Sequence, residues 1–382
     1  MRVLNISLTC TFTYGLGYQE NLLPEYQKKI GHDVTLITTD KARDKNGNIV
    51  TVAPGESMLE NGVRLVRIKT PKYISLMGYY PQVGALIEKY QPDFIFVHGL
   101  CTMLPEEAIK YKKKHKNVIL VADNHQDAGN GGRPGLITDL TYARYKFHWK
   151  SWIKYFYKIY GTTGWRQDYA YEKYGIPYSK LDTLLMGVDT DRMPSDFEKV
   201  RSNVRKELGI PANAFVYVNG GKLQKEKLIV ECLSAFVRID KPNTHFIIFG
   251  KLFDDVRDQV MRYVNENKNI HYLGFIKGND VKKYLIASDL GVFAGRHSVI
   301  WEEAIGCELP CVFSKYPGNN HMDICGNAIL LDSPTEEDIL ITIKKAFDDR
   351  VFYSKLKENS IKASEELSYY RIAEKSLEGS SE

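Results

Sequence analysis

The chain has 382 residues, 43% hydrophobic and 26% charged, with six cysteines, nine histidines and a net charge of +5. Such a length predicts two to three domains at roughly 150 residues each, and no run approaches the ~18 apolar residues of a membrane span. Residues 1–180 hold 25 Lys and Arg against 16 Asp and Glu (+9), and the remainder 27 against 31 (−4), which predicts two domains with different partners.

The N-terminus enters a strand pattern directly, without a basic region and apolar signal core, so the expectation is a cytoplasmic protein. Residues 3–8 read as a buried strand, followed by a polar loop with Gly15 and Gly17, a helix over 21–30 and a second strand over 34–38. This is the βαβ opening of a doubly wound sheet, although the loop lacks the GxGxxG spacing of a dinucleotide site. Residues 40–61 are polar and turn-rich. Strands are expected over 63–68, 94–97 and 118–122, with helices over 79–90 and 105–114 between them. His98 and His125 follow two of these strands, at the carboxyl edge where open α/β sheets bind ligands. The glycine-rich segment 129–135 reads as a mobile cover for a site.

The segment that begins at Tyr142 and ends at Tyr160 is unusual. Tyr142, Tyr145, Trp149, Trp152 and Phe156 recur on one helical face, and Lys146, Lys150, Lys154 and Lys158 recur every four residues. Such a pattern fits a helix with its aromatics in the core, an interfacial helix on an anionic membrane, or a stacking platform for single-stranded nucleic acid, in that order. No nucleic acid partner is expected. Asp189-Thr190-Asp191 forms a DxD at what reads as an interdomain turn, after which α/β alternation restarts.

In the second half, strands over 215–218, 245–249, 270–273, 290–293 and 311–314 alternate with helices. Their ends carry related chemistry. Gly220 and Gly221 would let backbone approach a diphosphate, with Lys222 and Lys227 neutralising it. Gly274-Phe275 would hold a base, and the loop of Gly295, Arg296, His297, Ser298 and Val299 would offer N–H donors at a helix start. Glu303 would take ribose hydroxyls, and Glu302 reads as a neighbour without a ligand role. The scattered cysteines predict reduced core thiols, and the histidines lack the spacing of a zinc site.

These motifs resemble the retaining glycosyltransferases of family 4, over essentially the whole chain. The matching residues are the glycine loop and the Gly31-His32 pair after the first strand, and Gly187-Val188-Asp189 followed by Arg192. Gly221, Lys222, Leu223 and Lys227 follow, then Leu273-Gly274-Phe275, then Glu303, Ala304 and Pro310, and finally Ser368 to Glu374. The resemblance implies a GT-B fold, α/β, with two doubly wound Rossmann-like domains facing a central cleft. The expected domains are 1–188 on the acceptor side and 189–365 on the nucleotide-sugar side, with a helix over 366–382 returning to the first.

By the same resemblance, a sugar would pass from a nucleoside-diphosphate sugar to a glycan or lipid-linked acceptor with retention. His125, Lys222 and Lys227 would be catalytic. Gly17, Gly221, Phe275, Gly295, Arg296, His297, Ser298, Val299 and Glu303 would bind the donor, without a cofactor or metal. The setting would be surface polysaccharide or glycoconjugate synthesis, with the protein cytoplasmic or peripheral at the inner face of the plasma membrane. One departure stands out: the family's Glu-x7-Glu motif has its first glutamate where this chain has Gly295. Alternatives are a non-catalytic sugar-nucleotide or lipid-binding module, an epimerase, or an inverting transferase with Asp123 or Asp127 as base.

Overall fold

A computed structural model describes residues 1–44, 47–71, 78, 80–128, 131, 135–276, 278–315 and 320–379. The chain divides into two compact units, Met1–Met186 with Tyr369–Glu382, and Gly187–Ser368. The glycine-rich segment expected as a cover lies outside the described residues, apart from Gly131 and Gly135. Among the described residues no helix is long and apolar enough to cross a membrane.

The first unit is built on an eight-stranded sheet, in the order Leu181–Thr183, Lys158–Gly161, Ile119–Asn124, Phe94–His98, Arg2–Ser7, Asp33–Thr39, Arg64–Ile68, Gly55–Met58. All neighbours are parallel except the last pair. Near-continuous apolar runs make these strands suitable for burial on both faces. Successive residues serve opposite layers: Leu4, Ile6, Ile95 and Val97 enter one core, and Val3, Phe94 and Phe96 the other. The terminal helix Tyr369–Ser376 packs on the helix Gln19–Lys29 of the same unit, where Tyr369 stacks on Tyr26 at 5.6 Å. Within the stretch 40–61 the structure has three short strands that the sequence did not predict, Lys41–Arg43, Ile49–Thr51 and Gly55–Met58.

The second unit holds six parallel strands, ordered Ile270–Tyr272, Thr244–Leu252, Phe215–Leu223, Leu290–Phe293, Cys311–Lys315, Ala328–Asp332. Strand order reverses between Phe215–Leu223 and Leu290–Phe293, so the connections leaving these two neighbours diverge. A crevice at the carboxyl ends of such strands is the usual ligand position of an open α/β sheet.

At the amino end of this sheet sits a buried ionic knot. Arg205 is 2% exposed and donates to the carbonyls of Ala287, Ala212 and Ala214 and to the Asp289 carboxylate at 2.7 Å. Asp289 also accepts from Arg201 and from the Val216 backbone N–H. A buried guanidinium must be compensated, because removing its carboxylate leaves an unpaired charge in low dielectric. Asp289→Asn is therefore expected to destabilise the second unit by about 3–5 kcal/mol in denaturant unfolding. An unchanged midpoint would show that the knot does not hold the unit together.

Candidate functional site

The crevice of the second unit is shaped by residues that cannot carry side chains. A Cβ on Gly220 would lie 2.3 Å from the Phe249 ring, and Gly221 has φ +108°, a conformation that favours glycine. At Gly295 a Cβ would lie 2.3 Å from the Lys227 Cα and 2.5 Å from the Glu226 carbonyl oxygen. The turn Lys225–Lys227 thus rests directly on the Gly295 backbone. The Arg296 N–H donates to the Glu226 carbonyl at 2.9 Å, and Ser314 Oγ donates to the Gly295 carbonyl at 2.6 Å. Lys227 Nζ donates to the carbonyls of Arg296 and His297.

The recess lined by Asn219, Gly220, Lys227, Gly295, Arg296, Ser298 and Trp301 is closed down to about 10 Å³ in this state. Burial pushes the Lys227 ammonium down to about 8, with Glu226 opposing the shift and Arg296 and Lys222 adding to it. A cation whose charge is disfavoured by burial and which is hydrogen-bonded to two carbonyls is suited to an arriving anion. A larger cavity of about 260 Å³ lies around Phe215 and Asp289, at the amino end of the strands, opposite the end where open α/β sheets bind ligands.

Of the residues expected here, Lys227, Gly295, Arg296 and Ser298 meet in the recess. Gly221 and Lys222 close the strand Phe215–Leu223, with Lys222 exposed. Phe275 is exposed beyond Gly274, and Val299 is exposed as well. Burial raises the Glu303 carboxyl, Lys282 opposes that shift, and Glu302 adds to it.

Two expectations are corrected. The helix Ile300–Gly306 has only seven residues and the Arg296 N–H is already committed, so the loop offers fewer free donors than expected. Glu302 is not an idle neighbour: it is buried, with Oε1 3.0 Å from His297 Nε2. Asn219 and Trp301 line the recess as well, Asn219 just past the apolar run 215–218 and Trp301 inside the helix Ile300–Gly306. The DxD residues serve a turn, with Asp189 capping Thr190–Arg192 and pairing with Arg192.

In the first unit, Asp123 lies fully buried between two imidazoles. Its Oδ2 is 2.8 Å from His98 Nδ1 and 3.1 Å from His125 Nε2, and its Oδ1 accepts from the Gly99 N–H. Burial works to raise this carboxyl, but the two histidines hold it well below the usual carboxylate range. For His125 burial works downward and Asp123 outweighs it, so the imidazolium is favoured. His98 is 3% exposed and His125 33%, which leaves His125 as the member that reaches solvent. Asp123 is sealed off and is a positioning group, not an accessible base. Gly17 is exposed in the loop after the first strand, with open space around it.

Hydrogen-bond directions lead from this cluster to the terminal helix. Ser376 Oγ donates to the Ala373 carbonyl and accepts from Gln27 Nε2, and Gln27 Oε1 accepts from Asn5 Nδ2. Asn5 therefore turns its oxygen toward His98 Nε2, at 3.2 Å. His98 thus faces Asp123 through Nδ1 and Asn5 through Nε2.

The aromatic segment follows its first reading, with the aromatics in the core, and is corrected in the extent of its helix. Its helix, Leu136–Trp152, ends eight residues before Tyr160, and Lys158–Gly161 is a strand. Tyr145, Trp149, Trp152 and Phe156 are buried in the core. Tyr145 Oη donates to the Cys101 carbonyl at 2.6 Å and Trp149 Nε1 to that of Leu100 at 3.3 Å. These aromatics cannot meet a membrane. The exposed apolar side chains of this helix are instead Leu136, Ile137, Leu140 and Phe147.

Gly295→Ala tests the crevice geometry, since the added methyl must displace the backbone of the turn Lys225–Lys227. The expected effect is a loss of about 1–3 kcal/mol of stability, typical of overpacking, with weakened anion binding. Wild-type stability and binding in this variant would contradict the packing described.

Residues 200–363 match the family model described as glycosyl transferases group 1. The α-monoglucosyldiacylglycerol synthase of Acholeplasma laidlawii is 31% identical over 115 residues, 28% of this chain and 29% of that protein, so the match spans less than a third of the relative. Among solved structures, sucrose-phosphate synthase of Thermosynechococcus elongatus is similar with a TM-score of 0.62 at 15% identity, over 98% of this chain and 97% of that one. A glycosyltransferase of Rickettsia africae gives 0.67 at 13%, covering 99% and 97%. Anabaena Alr3699/HepE in complex with UDP gives 0.65 at 15%, covering all of both chains. The second unit is thus similar to the glycosyl transferases group 1 over residues 200–363, within a chain that has the two-domain GT-B fold.

Proposed function

We propose that this chain transfers a sugar from a nucleoside-diphosphate sugar to a lipid-linked or glycan acceptor, with retention of anomeric configuration. The observation that carries this reading is Lys227, a partly buried ammonium held by two carbonyls beside glycines that admit no side chain. A diphosphate oxygen would replace those carbonyls, a charge-assisted contact worth roughly 1.5–3 kcal/mol. Lys222 would add a second, exposed cation. Charge that develops on the leaving diphosphate would meet these groups preorganised, the usual source of large rate effects. His125, held by Asp123, is the group that the first unit offers to the reaction.

Two further observations support the substrate classes. The Anabaena Alr3699/HepE structures carry UDP, UDP with glucose, and UDP-glucose, which supports a nucleotide-sugar donor. The A. laidlawii relative is named for glucosylating diacylglycerol, which supports a lipid acceptor. The helix Leu136–Trp152 adds a physical reason for a membrane setting. Leu136, Ile137, Leu140 and Phe147 are exposed, with Arg144, Lys146 and Lys150 exposed among them. Apolar side chains flanked by cations suit the boundary of an anionic bilayer.

A panel of UDP-, GDP- and ADP-sugars with lipid extracts tests the reaction. One donor is expected to yield glycolipid whose new linkage keeps the donor's anomeric configuration by NMR. An inverted product would sink the mechanism, and nucleotide binding without transfer from any donor would leave only a binding module. Flotation with vesicles rich in anionic lipid tests the surface. Binding should fall about tenfold or more in Leu140→Glu with Phe147→Glu, since each buried apolar side chain contributes roughly 1.5–3 kcal/mol; equal flotation of that variant would remove the membrane from the reading.

A further inference from the structure

The side chains of the crevice loop form a second cluster, beside Lys227. Glu302, in the first turn of Ile300–Gly306, is 5% exposed. Its Oε1 lies 3.0 Å from His297 Nε2, while its Oε2 is buried with no hydrogen-bond partner among the described residues. A carboxylate oxygen sealed from water without a partner is expensive, and native structures rarely leave one in that state. His321, on the turn Asn320–Met322, brings a second imidazole, its ring centroid 5.7 Å from that of His297. Ligand atoms of His297, Glu302 and His321 all lie within 4.8 Å of one another.

We propose that His297, Glu302 and His321 form a binding site for a borderline divalent cation of the zinc class. Two imidazoles and a carboxylate are the donor set such ions take, with one position left for water, whereas magnesium and calcium prefer oxygen donors. The ion replaces the proton shared between His297 and Glu302, and it gives the orphaned Oε2 a partner. Supporting side chains are in place: Trp301 meets the His297 ring edge-on at 5.1 Å and stacks on Phe313 at 4.3 Å, which fixes the imidazole plane. Ion binding ties the loop that contains Gly295 and Arg296 to the turn of His321. The site is positional: no step of the transfer passes through the ion, and its existence does not depend on the donor reading.

Chelator-treated full-length protein titrated with Co²⁺ tests the site by visible absorption, with Zn²⁺ competition by calorimetry. One equivalent should bind with the absorption of a four- or five-coordinate ion. Glu302→Gln, which keeps size and hydrogen bonding, and His321→Gln should each weaken binding by about 10-fold or more. His271→Ala removes the other imidazole pair of this unit, His245 with His271 at 3.0 Å, and should leave binding unchanged. No stoichiometric spectrum, or binding indifferent to both ligand variants, overturns the proposal. So does loss of binding in His125→Ala instead, which would assign the ion to the first unit.

Discussion

The second unit depends on a contact between two stretches of backbone. Because residue 295 has no side chain, the turn Lys225–Lys227 can lie on it, and the Arg296 N–H can reach the Glu226 carbonyl. That contact brings Lys227 Nζ to two carbonyls at the point where strand order reverses. A glutamate here, as in the family motif that the rest of the chain resembles, would collide with main chain instead of a movable side chain. The departure at Gly295 is therefore built into the packing of the crevice, and any contact that a glutamate would make to a sugar must come from elsewhere.

The first unit shows the complementary strategy, a charge fixed by neighbours instead of by missing atoms. Asp123 is buried and ionised because two imidazoles surround it. One of these is held from behind by Asn5, Gln27 and Ser376, so the last helix of the chain contributes to the orientation of a carboxylate on the strand Ile119–Asn124. Cooperative networks of this kind are stable only when every member is satisfied. His125 is the exposed end of the arrangement.

Much of the fold was legible because buried parallel strands write themselves as apolar runs. Residues 94–97 and 118–122 were read as strands and are found as Phe94–His98 and Ile119–Asn124. The exposed strand Gly55–Met58 was not legible, since GESM has no apolar alternation to detect. The short strand Lys158–Gly161 is legible over 159–163, although Tyr and Lys continue the aromatic and basic rhythm past the true helix end. At the site, glycines and lysines at strand ends signalled the crevice. Glu302 was misread because its partner His297 lies in an irregular loop, where no periodicity tells which of two adjacent carboxylates turns inward. The amide chain behind His98 joins residues 5, 27, 98 and 376, a juxtaposition that no local pattern encodes.

The central claim is that Lys227 is an ammonium disfavoured by burial that a diphosphate would stabilise, and proton linkage addresses it most directly. Burial holds the free group at about 8, below its ordinary value of ~10.4, and bound anions must raise it again. Calorimetry of UDP, GDP and ADP at pH 8, in buffers of different ionisation enthalpy, should show uptake of about half a proton for the nucleotide that binds. Uptake should fade toward pH 6.5, where the free lysine is already charged, and vanish in Lys227→Met. No uptake at pH 8, or the same uptake in Lys227→Met, would contradict the account.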